Sequence, residues 1–341
     1  MPGLSEGTAG RAQAAESGVN RYAGNVLIGD IGGTNSRLGI CDPDGAISCV
    51  AHVRNNAYPD LSAVLSDYLA TVSPPPCAAL LAVAGPVREQ QVTLTNLGWS
   101  IAADQLQKRL GLRAISLLND FAAVAHAVPV LQEDDRRAIG DVKPRHDEPI
   151  AVIGPGTGLG VAGLLKTAAG WSAVIGEGGH VTLPAADDEE AALLSTLRSQ
   201  IGHVSAERLI SGPGLLLLYR TLAAREGAVI DSTVNPEQVC ALARDGNVLA
   251  RRAVAQMFLF LGTVAADLAL SLGAEGGVYI AGGLIPGNLD LFERSAFRQR
   301  FEQKGRFSGY LRDIPTYVIT RSEPALLGLC RLVGQITLRK L

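Results

Sequence analysis

The sequence is short of the features that would place a protein in a class at once. It has no paired-cysteine spacing. Cys41, Cys49, Cys77, Cys240 and Cys330 are widely scattered, which excludes a paired-cysteine metal site and a disulfide-rich scaffold, and their odd number suits a reducing compartment. Neither charge is in excess: 30 Lys and Arg against 33 Asp and Glu leave a net charge of −3, so nothing in the total favours nucleic acid or an anionic membrane. The first 24 residues contain no apolar core of a signal peptide and read as a flexible extension. An uninterrupted membrane span is also missing. The most apolar stretch, Val254 to Leu272, contains Gly262 and Asp267, follows Arg251 and Arg252, and reads as a core helix. With 47% hydrophobic and 18% charged residues, the expectation is a compact protein of the cytoplasm, in one large domain or two medium ones.

What is present is a set of glycine turns, each following a short apolar run. The central one occupies Ile150 to Leu183, where a buried strand enters Gly154-Pro155-Gly156-Thr157-Gly158-Leu159-Gly160 and a second strand leaves it. Glycines there let backbone N–H groups come close to a phosphate, although the same residues also make ordinary hairpins. Glu177-Gly178-Gly179-His180 follows, with ionisable groups inside another glycine turn. Near the start, Val26 to Ile28 reads as a strand, Gly29 to Asn35 as a tight turn and Arg37 to Cys41 as a returning strand. Asp30 with Gly32, Gly33 and Thr34 is suited to hold a hydrated cation beside a phosphate. No Gly-Lys-Ser/Thr follows, so this is not a Walker loop, and no helix opens after it, so it is not a dinucleotide fingerprint. A third turn, Ala281-Gly282-Gly283, follows the strand Val278 to Ile280.

The rest alternates strands with helices, which predicts an α/β architecture. Helices are expected over Asp60 to Thr71, Ile101 to Leu110, Ala122 to Ala127, Asp187 to Gln200, Leu215 to Ala224, Ala250 to Leu272 and Phe292 to Glu302. A last one is expected over Pro324 to Lys340, with a flexure at Gly334. The strand Ala114 to Leu118 runs straight into Asn119-Asp120-Phe121, so Asp120 stands at the carboxyl end of a buried strand, the usual mouth of an α/β cleft. A helix cap is the other reading of that position. His180 also reads as a satisfied structural histidine, and Glu207 as a partner of Arg208. His203 reads as structural capping.

Taken together, Gly29 to Asn35, Leu118 to Phe121, Gly154 to Gly160, Gly176 to Val181 and Ile201 to Arg208 resemble bacterial glucokinases of the group without structural zinc. The resemblance spans about Asn25 to Leu341. It implies a two-lobed actin-like ATPase (ribonuclease H-like) α/β fold with an interlobe cleft. Residues 25–133 with 320–341 would form the smaller lobe and 134–319 the larger. Asp120 matches the catalytic carboxylate, and Asn119, Asp120, Glu177, His180 and Glu207 match the sugar contacts. Asp30, Gly32, Gly33, Thr34 and Asn35 match the first phosphate element, Gly154, Gly156, Thr157 and Gly158 the second, and Gly282 with Gly283 the adenosine-side turn. The family implies ATP as donor, glucose as acceptor and a homodimer. Magnesium would be held through water by Asp30.

The expected reaction is ATP-dependent phosphorylation of D-glucose at the 6-hydroxyl, with Asp120 as general base. A kinase for another hexose and a non-catalytic sugar sensor are the alternatives. The first 24 residues are too few for a helix-turn-helix domain plus linker, which weakens a repressor reading.

Overall fold

The computed structural model describes residues 24–333. The extension expected before them and the flexure expected at Gly334 lie outside the described residues. Two sheets repeat one plan. In the first, β1 (Val26–Ile31), β2 (Asn35–Cys41) and β3 (Ile47–Arg54) form an antiparallel meander. After α1 (Leu61–Ala70), β4 (Ala78–Val83) pairs with β1 in parallel. A small hairpin, β5 (Gln91–Leu94) and β6 (Trp99–Ala102), leads into α2 (Ala103–Leu110). Then β7 (Ala114–Asn119) pairs with β4 in parallel and runs directly into α3 (Asp120–Ala127). The strand order is β3-β2-β1-β4-β7.

After β8 (Arg136–Ala138), the second sheet begins with another antiparallel meander of β9 (Ile150–Pro155), β10 (Leu159–Thr167) and β11 (Gly170–Ile175). A helical stretch follows: α4 (Asp188–Ile201), α5 (Ala206–Leu209), α6 (Gly212–Glu226), α7 (Pro236–Arg244) and α8 (Val248–Leu272). The sheet resumes with β12 (Gly277–Ile280), parallel to β9. Three short helices, α9 (Leu289–Glu293), α10 (Phe297–Glu302) and α11 (Ser308–Arg312), precede β13 (Thr316–Ile319), parallel to β12, and the chain closes with α12 (Pro324–Val333). The order is β11-β10-β9-β12-β13-β8. Apart from the edge strand β8, it has the order and directions of the first sheet.

The alternation of side chains along each strand decides what lies where. Val26, Ile28, Leu80 and Ala82 of the first sheet and Val152, Leu164, Tyr279 and Ile319 of the second point into one shared core, which α3 and α12 fill. Gly328 of α12 lies so close to α3 that a methyl group there would overlap the Ala123 carbonyl. Residues of opposite parity face outward: Leu27, Ile31, Leu81 and Val83 pack under α1 and α2, while Ile153, Val278 and Ile280 pack under α6, α7, α8 and α10. Helix α8 is the one described helix long and apolar enough to cross a membrane, and it lies in this last core. Asn247 caps it by accepting from the Ala250 N–H at 2.9 Å, and Gly273 ends it in the left-handed region.

Four details differ from the sequence reading. Strand β1 continues through Asp30 and Ile31, paired with Arg37 and Ser36, so the tight turn shrinks to Gly32, Gly33 and Thr34. Ile101 and Ala102 belong to β6, because they pair with Val92 and Gln91, and the helix starts at Ala103. The single helix expected over Phe292 to Glu302 is broken: the Ser295 hydroxyl donates to the Phe292 carbonyl at 2.6 Å and accepts from the Phe297 N–H at 3.3 Å, ending one helix and opening the next. Finally, Cys41 at the end of β2 and Cys330 on α12 form a disulfide with Cα atoms 5.5 Å apart, 289 residues apart in sequence, whereas the scattered, odd-numbered cysteines suggested a reducing compartment. Spacing along the chain carried no trace of a pairing created by α12 returning to the first sheet.

Candidate active site

The β1–β2 turn is braced from beneath by a residue that motif reading passed over. Asn55 is fully buried; its side-chain amide donates to the Gly32 carbonyl at 2.7 Å and accepts from the Ser36 hydroxyl at 2.7 Å, and its own N–H donates to the Thr34 carbonyl at 2.9 Å. One buried amide thus fixes both sides of the turn and leaves Thr34 and Asn35 exposed at its tip. Gly33 faces Asn96, whose side chain would lie 3.1 Å from a methyl group placed there. At the strand end, Asp30 accepts from Arg37 on β2 at 3.0 Å. Burial nevertheless raises the Asp30 pKa, with Arg37 opposing the rise and Glu323 adding to it.

Asp120 begins α3 immediately after β7. Asn119 caps that helix, its side-chain oxygen accepting from the Ala122 N–H at 3.2 Å while its amide donates to the Gly85 carbonyl at 3.3 Å. The Asp120 carboxylate accepts from the Phe121 N–H at 2.9 Å. Its pKa is pushed up to about 7, first by burial and then by the negative charge of Asp30, with a smaller push from Glu177, against the pull of the helix N–H groups. Three carboxylates from three elements therefore share one field.

The β9–β10 hairpin carries the second turn. Gly156, Thr157 and Gly158 form its tip, where the Gly156 N–H donates to the Gly158 carbonyl at 2.8 Å. The first residue of α6, Gly212, donates to the Gly156 carbonyl at 2.9 Å, so a 15-residue helix begins against this tip. The Gly282 backbone, in the left-handed region at φ +78°, packs on Pro155, with no room for a side chain on that face. Glu207 on α5 reaches the hairpin from another side: its carboxylate accepts from the Leu159 N–H at 2.9 Å and lies 2.5 Å from where a Gly158 methyl would stand. Of the readings left open for Glu207, this geometry turns it toward the hairpin.

The Glu177 to His180 turn lies on β10, with Gly178 against Val161 and Gly179 against the Leu159 carbonyl. Both ionisable side chains remain open to solvent, 57% and 59% exposed, with His180 Nε2 3.9 Å from Glu177. The Ala206 N–H donates to the Val181 carbonyl at 2.9 Å, which ties α5 and its Glu207 to the residue after His180. His203 shares a hydrogen bond of 2.9 Å with Thr182 instead of capping a helix.

The fold thus gathers Asp30, Asp120 and Glu177 electrostatically, Glu207 with Gly158, and Gly282 with the hairpin base. Among the described residues no backbone hydrogen bond joins the Gly32 to Asn35 turn to the hairpin; the two belong to different sheets. No group of three or more His, Cys, Asp and Glu among the described residues is placed to enclose a metal ion. The arrangement can accept a proton at Asp120, bind hydroxyls at Glu177, His180 and Glu207, and present backbone N–H groups to an anion. Sequence reading missed Asn55, Arg37 and Phe121. Arg37 was the most accessible of the three, since an antiparallel return from a turn after Asp30 sets the two opposite each other.

A family model described as Glucokinase matches residues 27–336. A glucokinase of Tolumonas auensis is 42% identical over 308 residues, which cover 90% of this chain and 96% of that one. A glucokinase of Psychromonas ingrahamii is 44% identical over 304 residues, covering 89% and 94%. Among solved structures, a glucokinase from an Antarctic psychrotroph is similar with a TM-score of 0.82 at 34% identity, covering 93% of this chain and all of that one.

Proposed function

The chain belongs to the glucokinase family and phosphorylates D-glucose with ATP, and we propose that Asp120 is the base that receives the proton of the sugar 6-hydroxyl. The observation that carries this assignment is the Asp120 carboxylate itself, fixed at the β7–α3 corner beside Asp30 and Glu177 with a pKa of about 7. An alcohol is far too weak an acid to lose its proton beforehand. In phosphoryl transfer the proton can leave late, and a base poised near neutral pH accepts it better than an ordinary carboxylate.

Glu177 and Glu207 accept sugar hydroxyls, His180 donates or accepts according to its tautomer, and Asn119 uses the amide hydrogen that its contact with Gly85 leaves over. Gly32, Gly33, Thr34 and Asn35 on one side and Gly154, Gly156, Thr157 and Gly158 on the other hold the phosphates, with Gly282 and Gly283 beside the adenosine. The acidic, desolvated field of Asp30 and Asp120 fits a hydrated magnesium ion held mainly by the triphosphate, with Asp30 reaching it through water. That ion would neutralise charge on the phosphate oxygens.

The two sheets of like order support a two-lobed, actin-like enzyme, with residues 25–133 and 320–341 in one lobe and 134–319 in the other. Closing the cleft would keep water from competing with the 6-hydroxyl. The disulfide between Cys41 and Cys330 and the separation of the other three cysteines support the group without structural zinc. The resemblance of the motifs implies a homodimer, and the composition a protein of the cytoplasm.

The test is a transfer assay with the wild type and Asp120→Ala. Wild-type protein is expected to form ADP and glucose 6-phosphate one for one, and the variant to lose ~10²–10⁴-fold in turnover while still binding glucose. Undiminished turnover by the variant refutes the base assignment.

A further inference from the structure

Gly154 and Gly160 stand directly opposite each other across the β9–β10 ladder. Neither has the left-handed backbone that calls for glycine. Space is the constraint instead. A methyl group on Gly160 would overlap the Phe121 ring, and one on Gly154 would lie 2.8 Å from the same ring. The two glycines therefore form a slot on the second sheet, and the residue seated in it comes from the first helix after the first sheet. That residue adjoins Asp120, and its backbone N–H holds the Asp120 carboxylate at 2.9 Å. The turn at Gly156 to Gly158 lies just beyond the slot on the same hairpin.

We propose that Phe121 is a positioning residue: its ring, docked between Gly154 and Gly160, holds the base Asp120 in register with the phosphate-binding tip of the hairpin. This rests on the assignment of Asp120 as base. The consequence is geometric. Transfer needs the hydroxyl oxygen, held by Asp120, in line with a phosphorus held by the hairpin, and these parts belong to different sheets. Phe121 spans them with one ring and one peptide group. A displacement near 1 Å at such a link is enough to cost ~10²-fold in turnover.

The test is a size exchange. Phe121→Ala and Gly160→Ala are each expected to lower kcat ~10–100-fold while the dissociation constants for glucose and ATP, measured by calorimetry, stay within about threefold. In Phe121→Ala/Gly160→Ala the new methyl group meets no ring, so the two losses should not multiply and kcat should lie near that of Phe121→Ala alone. Gly154→Ala provides the contrast: its methyl group would also lie 2.7 Å from the Ala281 carbonyl carbon, part of the backbone, so removing the ring should not rescue it. Phe121→Leu, which keeps apolar bulk, is the milder variant should the alanine change unfold the protein, and it should show the same kcat loss in smaller degree. Unchanged kcat in the single variants, losses that simply multiply in the double, or equal rescue of Gly154→Ala would overturn the positioning role. Asp120→Asn, assayed alongside, separates the two claims: an active Asn variant removes the base, whereas an inactive one with no size exchange removes only Phe121.

Discussion

Replacing Asp120 by Asn should stabilise the protein while stopping its reaction, and the two effects have the same cause. Asn keeps the side-chain shape and an oxygen to accept from the Phe121 N–H, but it removes a charge that the fold holds beside Asp30 and Glu177. The carboxyl has a pKa of about 7 in the folded chain against an ordinary 3.8. That gap corresponds to at most about 4 kcal/mol. A raised carboxyl pKa means that the folded chain keeps its proton after the unfolded chain has lost it. The group therefore erodes stability as pH rises from about 4 to about 7, and its full penalty applies above that range. Part of the Asp120 surface remains open to solvent, where water offsets some of the cost. The expected gain for Asp120→Asn is thus about 2 kcal/mol at pH 8, shrinking below about 1 kcal/mol at pH 5. Urea unfolding of both proteins at the two pH values measures it. Turnover of the variant should fall ~10²–10⁴-fold, and wild-type turnover should decline as pH drops through about 7. A variant no more stable than wild type at pH 8, or equally stabilised at both pH values, would refute the reasoning.

Gly158→Ala should displace Glu207, whose carboxylate lies 2.5 Å from the added methyl group; a rise in glucose KM of at least ~10-fold is expected in steady-state kinetics, and an unchanged KM would detach Glu207 from the sugar. Asn55→Ala should cost about 2–4 kcal/mol in urea unfolding, because the Gly32 carbonyl and Ser36 hydroxyl lose their buried partner, and should weaken ATP binding as the β1–β2 turn loosens. A loss under 1 kcal/mol would show that the turn holds itself. Thiol titration of unfolded, unreduced protein should count three thiols, from Cys49, Cys77 and Cys240, and five after reduction; five at the outset would contradict the Cys41–Cys330 bond.

The parts legible in the sequence were those written locally. Apolar runs ending in glycine turns located β1, β9 and β12, and the position of Asp120 followed from a strand running into a helix without a loop. The length of α8 was visible because nothing in Val248 to Leu272 stops a helix before Gly273. What stayed hidden depended on partners distant in sequence. Asn55 lies in a polar run indistinguishable from a surface turn, and only the return of β3 past β2 brings it under Gly32. Gly160 reads as one more flexible glycine until the Phe121 ring is seen to occupy the space beside it. The break at Ser295 was local but ambiguous, since a serine hydroxyl continues a helix or ends it according to which carbonyl it finds.

The core that α3 and α12 fill between the two sheets also bears on the order in which the protein can mature. The strands of the first sheet leave the ribosome early, yet the face carrying Val26, Ile28 and Leu80 is completed by Ala325, Leu326 and Leu329, close to the end of the described chain. About three hundred residues must be synthesised before that face is covered, at a rate of ~5–20 residues per second. During that interval the nascent chain carries an apolar sheet without its lid, so truncation after β13 should leave a protein dependent on chaperones although every proposed site residue is present.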